Sequence, residues 1–305
     1  MNPVATWNLV QDIRQVLAYP FMVNAVRAGT IVAVVAGAVG WMMVLRRESF
    51  AGHTLAVVGF PGAAAATWLG FTSGYGYFSA CLGAALVFAA LPASVRAGGG
   101  GERSAVIGTV QAFALVAGML FVSLYKGFLS GLTNLLFGTI DGVTDQQVLV
   151  LLAAAVPCLM LLFLIGRPLL WASIDPETAG AQGVPVRLVG ALFLMLLGVA
   201  AAGTSEVTGS LLVFALLVAP GAAAHQLTGR PGYGMAISVG VALAATWAGM
   251  GFAYFTPYPI GFWVSSFAFA AYLGCAGFRA AADRLRQRTP RSTANVVAVR
   301  EEISA

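Results

Sequence analysis

The chain has 305 residues, of which 59% are hydrophobic and 9% charged, with a mean hydropathy of +0.88. Soluble globular domains carry about 25% charged residues, so this composition excludes a soluble fold and describes a polytopic membrane protein. The net charge of +5 does not indicate a nucleic-acid partner, because much of the arginine lies within 279–300, and basic residues flanking spans are the ordinary cytoplasmic bias of membrane proteins.

Residues 1–15 carry Asp12 and Arg14 and lack the apolar core of a cleavable signal, and the amphipathic stretch 1–22 reads as an interfacial segment or an exposed tail. Apolar runs follow at 23–45, 54–72, 75–95, 104–124, 147–166, 188–204, 208–228, 233–254 and 261–279. Each approaches the roughly 20 residues with which a helix crosses a hydrocarbon core about 30 Å thick. The alternation that a membrane barrel needs is absent. The expected fold is all-α: a transmembrane bundle of eight or nine helices over 23–280, followed by a basic, disordered tail over 281–305.

The linkers at 46–48, 98–103, 167–187 and 228–232 are basic. Placing them all in the cytoplasm puts the N-terminus outside and the C-terminus inside. The stretches 125–147, 203–208 and 256–261 then face outward, and their aromatics, with Trp263, suit an interfacial belt. Cys81, Cys158 and Cys275 each lie inside an apolar run and read as small packing residues rather than a disulfide.

Four segments bear on function. In the first, around Leu45-Arg46-Arg47-Glu48, the arginines anchor the first span at the cytoplasmic surface, and Ser49 or Thr54 is positioned to cap the second. His53, one of two histidines, stands there as a structural residue or a metal ligand. The second is 174–184, where Asp175 caps and Pro176 opens a short helix with Glu177 in its first turn and Gly183 at its end. Such a helix is a docking surface or an ordinary capped connector. The third is 208–225, a span expected to break at Pro220-Gly221 and ending at His225. A proline there frees a backbone carbonyl, which suits a substrate path or a simple kink. Finally, Asp141, Asp145 and Glu206 place carboxylates at the outward ends of spans, where they cap, solvate or attract cations.

Taken in order, Tyr19-Pro20-Phe21-Met22, Leu45-Arg46-Arg47-x-Ser49-Phe50-x-Gly52, Leu136-Phe137-Gly138, Asp175-Pro176-Glu177-x-Ala179 with Gly183-Val184, and Gly209-Ser210-Leu211-Leu212-Val213-x-Ala215-Leu216-Leu217-x-x-Pro220 resemble the permease subunits of bacterial manganese, zinc and iron ABC importers, over about 18–280. The resemblance implies a fold similar to the vitamin B12 importer permease and a location in the bacterial inner membrane. It also implies a dimer with a second permease copy, two cytoplasmic ATPase subunits and an extracytoplasmic metal-binding lipoprotein. Asp175, Pro176, Glu177 and Gly183 would then couple to the ATPase, while His53, Glu206, Pro220 and His225 would belong to the substrate pathway. The divalent metal would be substrate, ATP would be bound by the partner, and the chain itself would hold no cofactor and perform no catalysis. That family commonly carries Asp at the position of His53 and His at that of Val57, and this departure argues against a manganese site of the usual kind.

Other functions fare worse on the residues. Gly98 to Ser104 is glycine-rich but lacks the spacing and lysine of a phosphate-binding loop, and no His-Glu-x-x-His helix is present. A chelated-metal or cobalamin-type substrate is the alternative on the same architecture. An ion-coupled secondary transporter would place ionisable groups inside its spans, which are nearly free of them here.

Overall fold

The structure, a computed structural model, describes residues 14–15, 18–91, 100–124, 143–210 and 213–288. Most of the interfacial segment, the Gly98-Gly99 linker, the loop holding Leu136-Phe137-Gly138 and Asp141, Leu211 and Leu212, and the tail beyond 288 lie outside these residues. Ten helices follow one another without strands among the described residues: α1 (Pro20–Leu45), α2 (Ser49–Trp68), α3 (Ser73–Ala90), α4 (Gly100–Leu124), α5 (Asp145–Ile174), α6 (Pro176–Ala181), α7 (Val186–Thr208), α8 (Val213–Leu227), α9 (Pro231–Phe255) and α10 (Ile260–Arg288). Seven of them are long and apolar enough to cross a membrane, α2 and α8 being the long helices outside that set. The expected bundle is therefore present. Its last helix runs on through 281–288, so the expected tail boundary falls inside α10.

Helices α1 and α7 form the centre. Both are buried around most of their circumference, as a helix with apolar residues on all sides must be. Around them, α2, α3 and α4 pack as one flank, α8, α9 and α10 as a second, and α5 lies against α1 and α7. The outer faces of α4 and α5 present Phe113, Val116, Phe163 and Leu164 outward, as lipid-facing surfaces do. Of the aromatics expected as a belt, Tyr258 lies 6.5 Å from Trp263, ring centre to ring centre, and Trp263 Nε1 donates to Thr256 at 2.8 Å.

Lipid tails are as apolar as leucine, so helices in a bilayer associate through close packing rather than through exclusion of water. That packing is densest on α1. A Cβ on Gly37 would sit 2.7 Å from the backbone of Val239 in α9, and one on Gly40 would collide with the Leu217 carbonyl in α8. Gly221 faces the same crossing, where a Cβ would sit 2.8 Å from the Gly40 carbonyl oxygen, and Ser238 Oγ donates to the Gly37 carbonyl at 2.7 Å. Gly62 and Gly76 make an equivalent approach between α2 and α3.

Two sequence expectations give way here. The span at 208–228 does not break at Pro220-Gly221, because α8 is helical from Val213 through Leu227. The chain instead leaves helix at Gly209, whose φ of 78° is open to glycine and strained for other residues. The proline-glycine pair serves the crossing with α1, where a missing side chain at Gly221 lets the backbones meet. Secondly, neither Ser49 nor Thr54 caps α2. Glu48 is its N-cap without a side-chain cap bond, and Thr54 Oγ1 donates to Gln111 of α4 at 3.0 Å. The cysteines are free, and Cys81 and Cys158 are buried as expected, with Cys81 Sγ 3.2 Å from the Leu55 carbonyl.

The α1 crossing makes a sharp prediction. Gly40→Val should lower stability by about 1–3 kcal/mol or prevent folding, whereas Gly240→Ala, with no atom near its Cβ, should leave the thermal midpoint of the detergent-purified protein unchanged.

Candidate substrate pathway and coupling surface

The described long helices run back and forth, which gives the bundle two ends. One carries the 46–48 turn, α6, Arg230 and the end of α10; the other carries the 69–72 turn, Thr144, Gly209 and the 256–259 turn. His53 stands in the second turn of α2, near the first end. Its ring meets Phe214 of α8 edge to face, with centres 4.8 Å apart. His53 is half-buried, and its Nδ1 is shielded from solvent without a hydrogen-bond partner. Val57, one turn on, is buried. On α8, Phe214, Ala215, Val218, Ala219 and Ala222 form a half-exposed strip continuing from the His53 contact. A shielded imidazole nitrogen with no protein partner is a buried polar atom left unsatisfied by the chain.

Helix α8 has 15 described residues, about 22 Å of helix against a hydrocarbon core of about 30 Å. Its first described turn lies beside His53, through Phe214. Ser210, just before it, is buried and its hydroxyl has no partner. At the other end of α8, Arg279 of α10 donates to the carbonyls of His225 and Gln226 at 3.4 and 3.5 Å. This partly satisfies the orphan carbonyls of a helix end and suits its negative dipole.

The structure does not bring His225 to His53. Its ring stacks on Trp41 at 4.9 Å and 12°, and its Nε2 donates to the Trp41 carbonyl at 3.1 Å. The indole is confined in turn by Gly234, where a Cβ would lie 2.4 Å from Trp41 Nε1. His225 thus joins α8 to α1 in the packing.

Glu206 also lies apart from His53. It occupies the last turn of α7 beside a cavity of about 220 Å³ lined by Thr72, Gly74, Tyr75, Gln146 and Gln147. One carboxylate oxygen is buried without a partner. No residue of α2 lines that cavity. Among the described residues no three His, Cys, Asp or Glu side chains cluster as a metal-holding group.

The short helix α6 forms as expected. Asp175 is its N-cap, accepting from the Thr178 amide at 3.0 Å. Hydrogen bonds from Thr178, side chain and then backbone, hold the Asp175 carboxyl below the usual range, so the cap is charged at neutral pH. Pro176 fills the first helical position, Glu177 lies exposed in the first turn, and Gly183 ends the segment at φ 87°. Ala179 is fully buried and seats α6 on the bundle, with Asp175, Glu177 and Gly183 facing outward.

Residues 18–278 match the ABC 3 transport family. The chain belongs to that family. Within it, the chain is 27% identical to the manganese transport system membrane protein MntC of Halalkalibacterium halodurans, over 73% of this chain and 75% of the relative. It is 29% identical to the chelated iron transport system membrane protein YfeC of Yersinia pestis, over 80% of each. Its fold matches a chain of PsaBC from Streptococcus pneumoniae, solved in complex with Fab, with a TM-score of 0.78 over 88% of this chain and 95% of that one, at 24% identity. This ABC 3 family member is thus a multi-pass membrane permease of an ABC transporter.

Sequence reasoning missed Phe214, Trp41 and Arg279, which create the settings of the two histidines. Trp41 carried a signal, an indole in the middle of an apolar span whose N–H needs a setting. The pairing across α1, α8 and α10 carried none.

The two histidines should separate on substitution. His225→Ala removes a stack and a hydrogen bond and should cost about 1–2 kcal/mol. His53→Ala should cost less than half of that, because Nδ1 has no protein partner to lose; thermal unfolding in detergent measures both.

Proposed function

We propose that this permease carries a divalent transition-metal ion into the cytoplasm, and that His53 contacts the ion on its way. The observation that carries the reading is the His53 ring on α2, its Nδ1 without a protein partner, set beside the first turn of α8 and the half-exposed strip of small residues that follows. Relatives named for manganese and chelated-iron transport support the cargo class. A permeation site must hold its ion weakly enough to release it, so few ligands suffice. Imidazole suits zinc and iron, whereas carboxylate oxygen suits manganese. With His53 and Val57 at positions where the family commonly has Asp and His, zinc or iron is the expected cargo ahead of manganese.

The remaining parts follow from this reading. The end bearing α6, Arg46, Arg47, Arg103, Arg167, Arg187 and Arg230 lies in the cytoplasm, which places the N-terminus outside. There α6 docks a cytoplasmic ATPase, which binds and hydrolyses the ATP. A second permease copy covers the half-exposed faces of α2 and α8. An extracytoplasmic metal-binding lipoprotein delivers the ion at the opposite end, where Glu206 adds negative charge that favours a cation.

The test is uptake into liposomes holding the permease with its ATPase, presenting Mn²⁺, Zn²⁺ and Fe²⁺ separately with and without ATP. ATP-dependent accumulation of Zn²⁺ or Fe²⁺ is expected, reduced about tenfold or more in His53→Ala. ATP hydrolysis without accumulation of any ion would overturn the metal reading. Glu177→Lys should weaken co-purification of the ATPase by about tenfold or more; unchanged binding would remove α6 from the docking surface.

A further inference from the structure

The turn joining α1 to α2 buries charge where a simple connector would leave it in water. Arg46 closes α1, Arg47 adopts φ 58°, and Glu48 opens α2. The amide of Glu48 bonds the Met43 carbonyl at 3.0 Å and that of Arg47 the Val44 carbonyl at 3.1 Å, the paired closure of a Schellman turn. Arginine holds the left-handed position at which such turns favour glycine, a conformation costing L-residues roughly 1–2 kcal/mol. Strain of this kind persists where the surroundings over-determine it.

Those surroundings converge on Arg46. Its side chain is 13% exposed and that of Glu48 is 5% exposed. Arg46 Nη2 donates to Glu48 Oε1 at 3.1 Å, and Arg103 of α4 donates to the same oxygen at 3.4 Å. Arg46 Nη1 donates to Ser173 Oγ at 3.0 Å, while Ser173 itself donates to the Leu169 carbonyl of α5. The guanidinium plane also lies over the Phe193 ring of α7, 5.2 Å from its centre. One side chain therefore holds the start of α2, the start of α4 through Glu48, the end of α5 and the first half of α7.

The position of this cluster gives it a consequence. Ser173 stands two residues before Asp175, the cap of α6, and Val186, the first residue of α7, follows α6 closely. Glu48 stands five residues before His53 on the same helix. Any displacement of α6 reaches Ser173 and α7 first, and Arg46 contacts both, the latter at Phe193. A buried ion pair contributes little net stability over an apolar equivalent. It does, however, have a defined geometry that a shift of one member breaks.

We propose that Arg46, with Glu48, Ser173 and Arg103, is the relay that carries movement of α6 to α2 and so to His53. Arg46 acts as a positioning residue, touching neither cargo nor nucleotide. The proposal rests on the reading of α6 as the docking surface for the ATPase.

The experiment uses the full permease with its ATPase in liposomes, with Mn²⁺, Zn²⁺ and Fe²⁺ as separate probes. Arg46→Lys keeps the charge beside Glu48 but cannot span Glu48, Ser173 and Phe193 together. It should leave ATPase binding and ATP hydrolysis within about twofold while ions moved per ATP fall roughly fivefold. Ser173→Ala should shift the ratio in the same direction, and the double variant should be no worse than Arg46→Lys, because both act through one link. Thermal midpoints identify a variant that is merely unstable; should Arg46→Lys fail to fold, Ser173→Ala and Glu48→Gln carry the test. A second readout needs no cargo. On a Cys275→Ser background, maleimide labelling of Phe214→Cys should change on adding ATP and vanadate, and Arg46→Lys should abolish that change. Variants that keep both the ion-to-ATP ratio and the nucleotide-dependent labelling would overturn the relay. Loss of ATPase binding in Arg46→Lys would overturn it too, by placing Arg46 in the docking surface. Unaltered ATPase binding in Glu177→Lys would overturn the α6 reading instead.

Discussion

The backbone-to-backbone crossing of α1 with α8 and α9 is the constraint on which the rest of the bundle depends. In a bilayer there is no gain from hiding apolar surface from water, so the contact must come from proximity. Gly37, Gly40 and Gly221 supply it by removing side chains where the helices meet. Once that crossing is made, His225 falls on the Trp41 ring and carbonyl, and Arg279 reaches the carbonyls at the end of α8. The flank of α2, α3 and α4 assembles on a similar principle at Gly62 and Gly76, with Thr54 bonded to Gln111. Where α2 and α8 come together, they meet through the rings of His53 and Phe214.

Charge obeys the opposite rule. The bundle interior contains almost none, and the arginines crowd toward the end that carries α6. Within that end, Glu48 is buried and Arg46 partly buried, which costs desolvation that their mutual attraction roughly offsets. Stability alone does not explain such an arrangement. The cluster ties the start of α2 to the end of α5, and α6 follows directly in sequence. If α6 is the docking helix proposed above, a stiff link from it to α2 is what the cluster supplies, since polar contacts with fixed geometry provide stiffness that sliding apolar faces lack.

Much of the candidate site was legible before the fold. The Asp175-Pro176 start and Gly183 end of α6 are local signals, set by capping and by the conformations that proline and glycine permit, and the helix forms there as read. Pro220 was misleading because a proline in isolation reports a missing donor, not whether its helix continues; the packing at Gly221 kept α8 intact. His225 was linked in sequence to a substrate path, yet a tryptophan 184 residues away in the chain takes its hydrogen bond. Arg46 read as a surface anchor, and its burial depends on Glu48, Ser173 and Phe193, of which the last two lie on other helices.

By itself, the sequence determined that the chain is a bundle of membrane helices, where those helices lie, which linkers are basic, and that a capped helix follows α5. All of these depend on composition, hydrophobic run length and local backbone preference, which act over a few residues. Tertiary structure decided which glycines are crossings, that the chain leaves helix at Gly209 rather than Pro220, which histidine is absorbed by packing and which keeps a free nitrogen, and that Glu206 lines a cavity to which His53 does not contribute. These depend on which faces of distant helices come within a few ångströms of one another, and lipid-soluble helices rich in small residues leave that choice open until the whole bundle is packed.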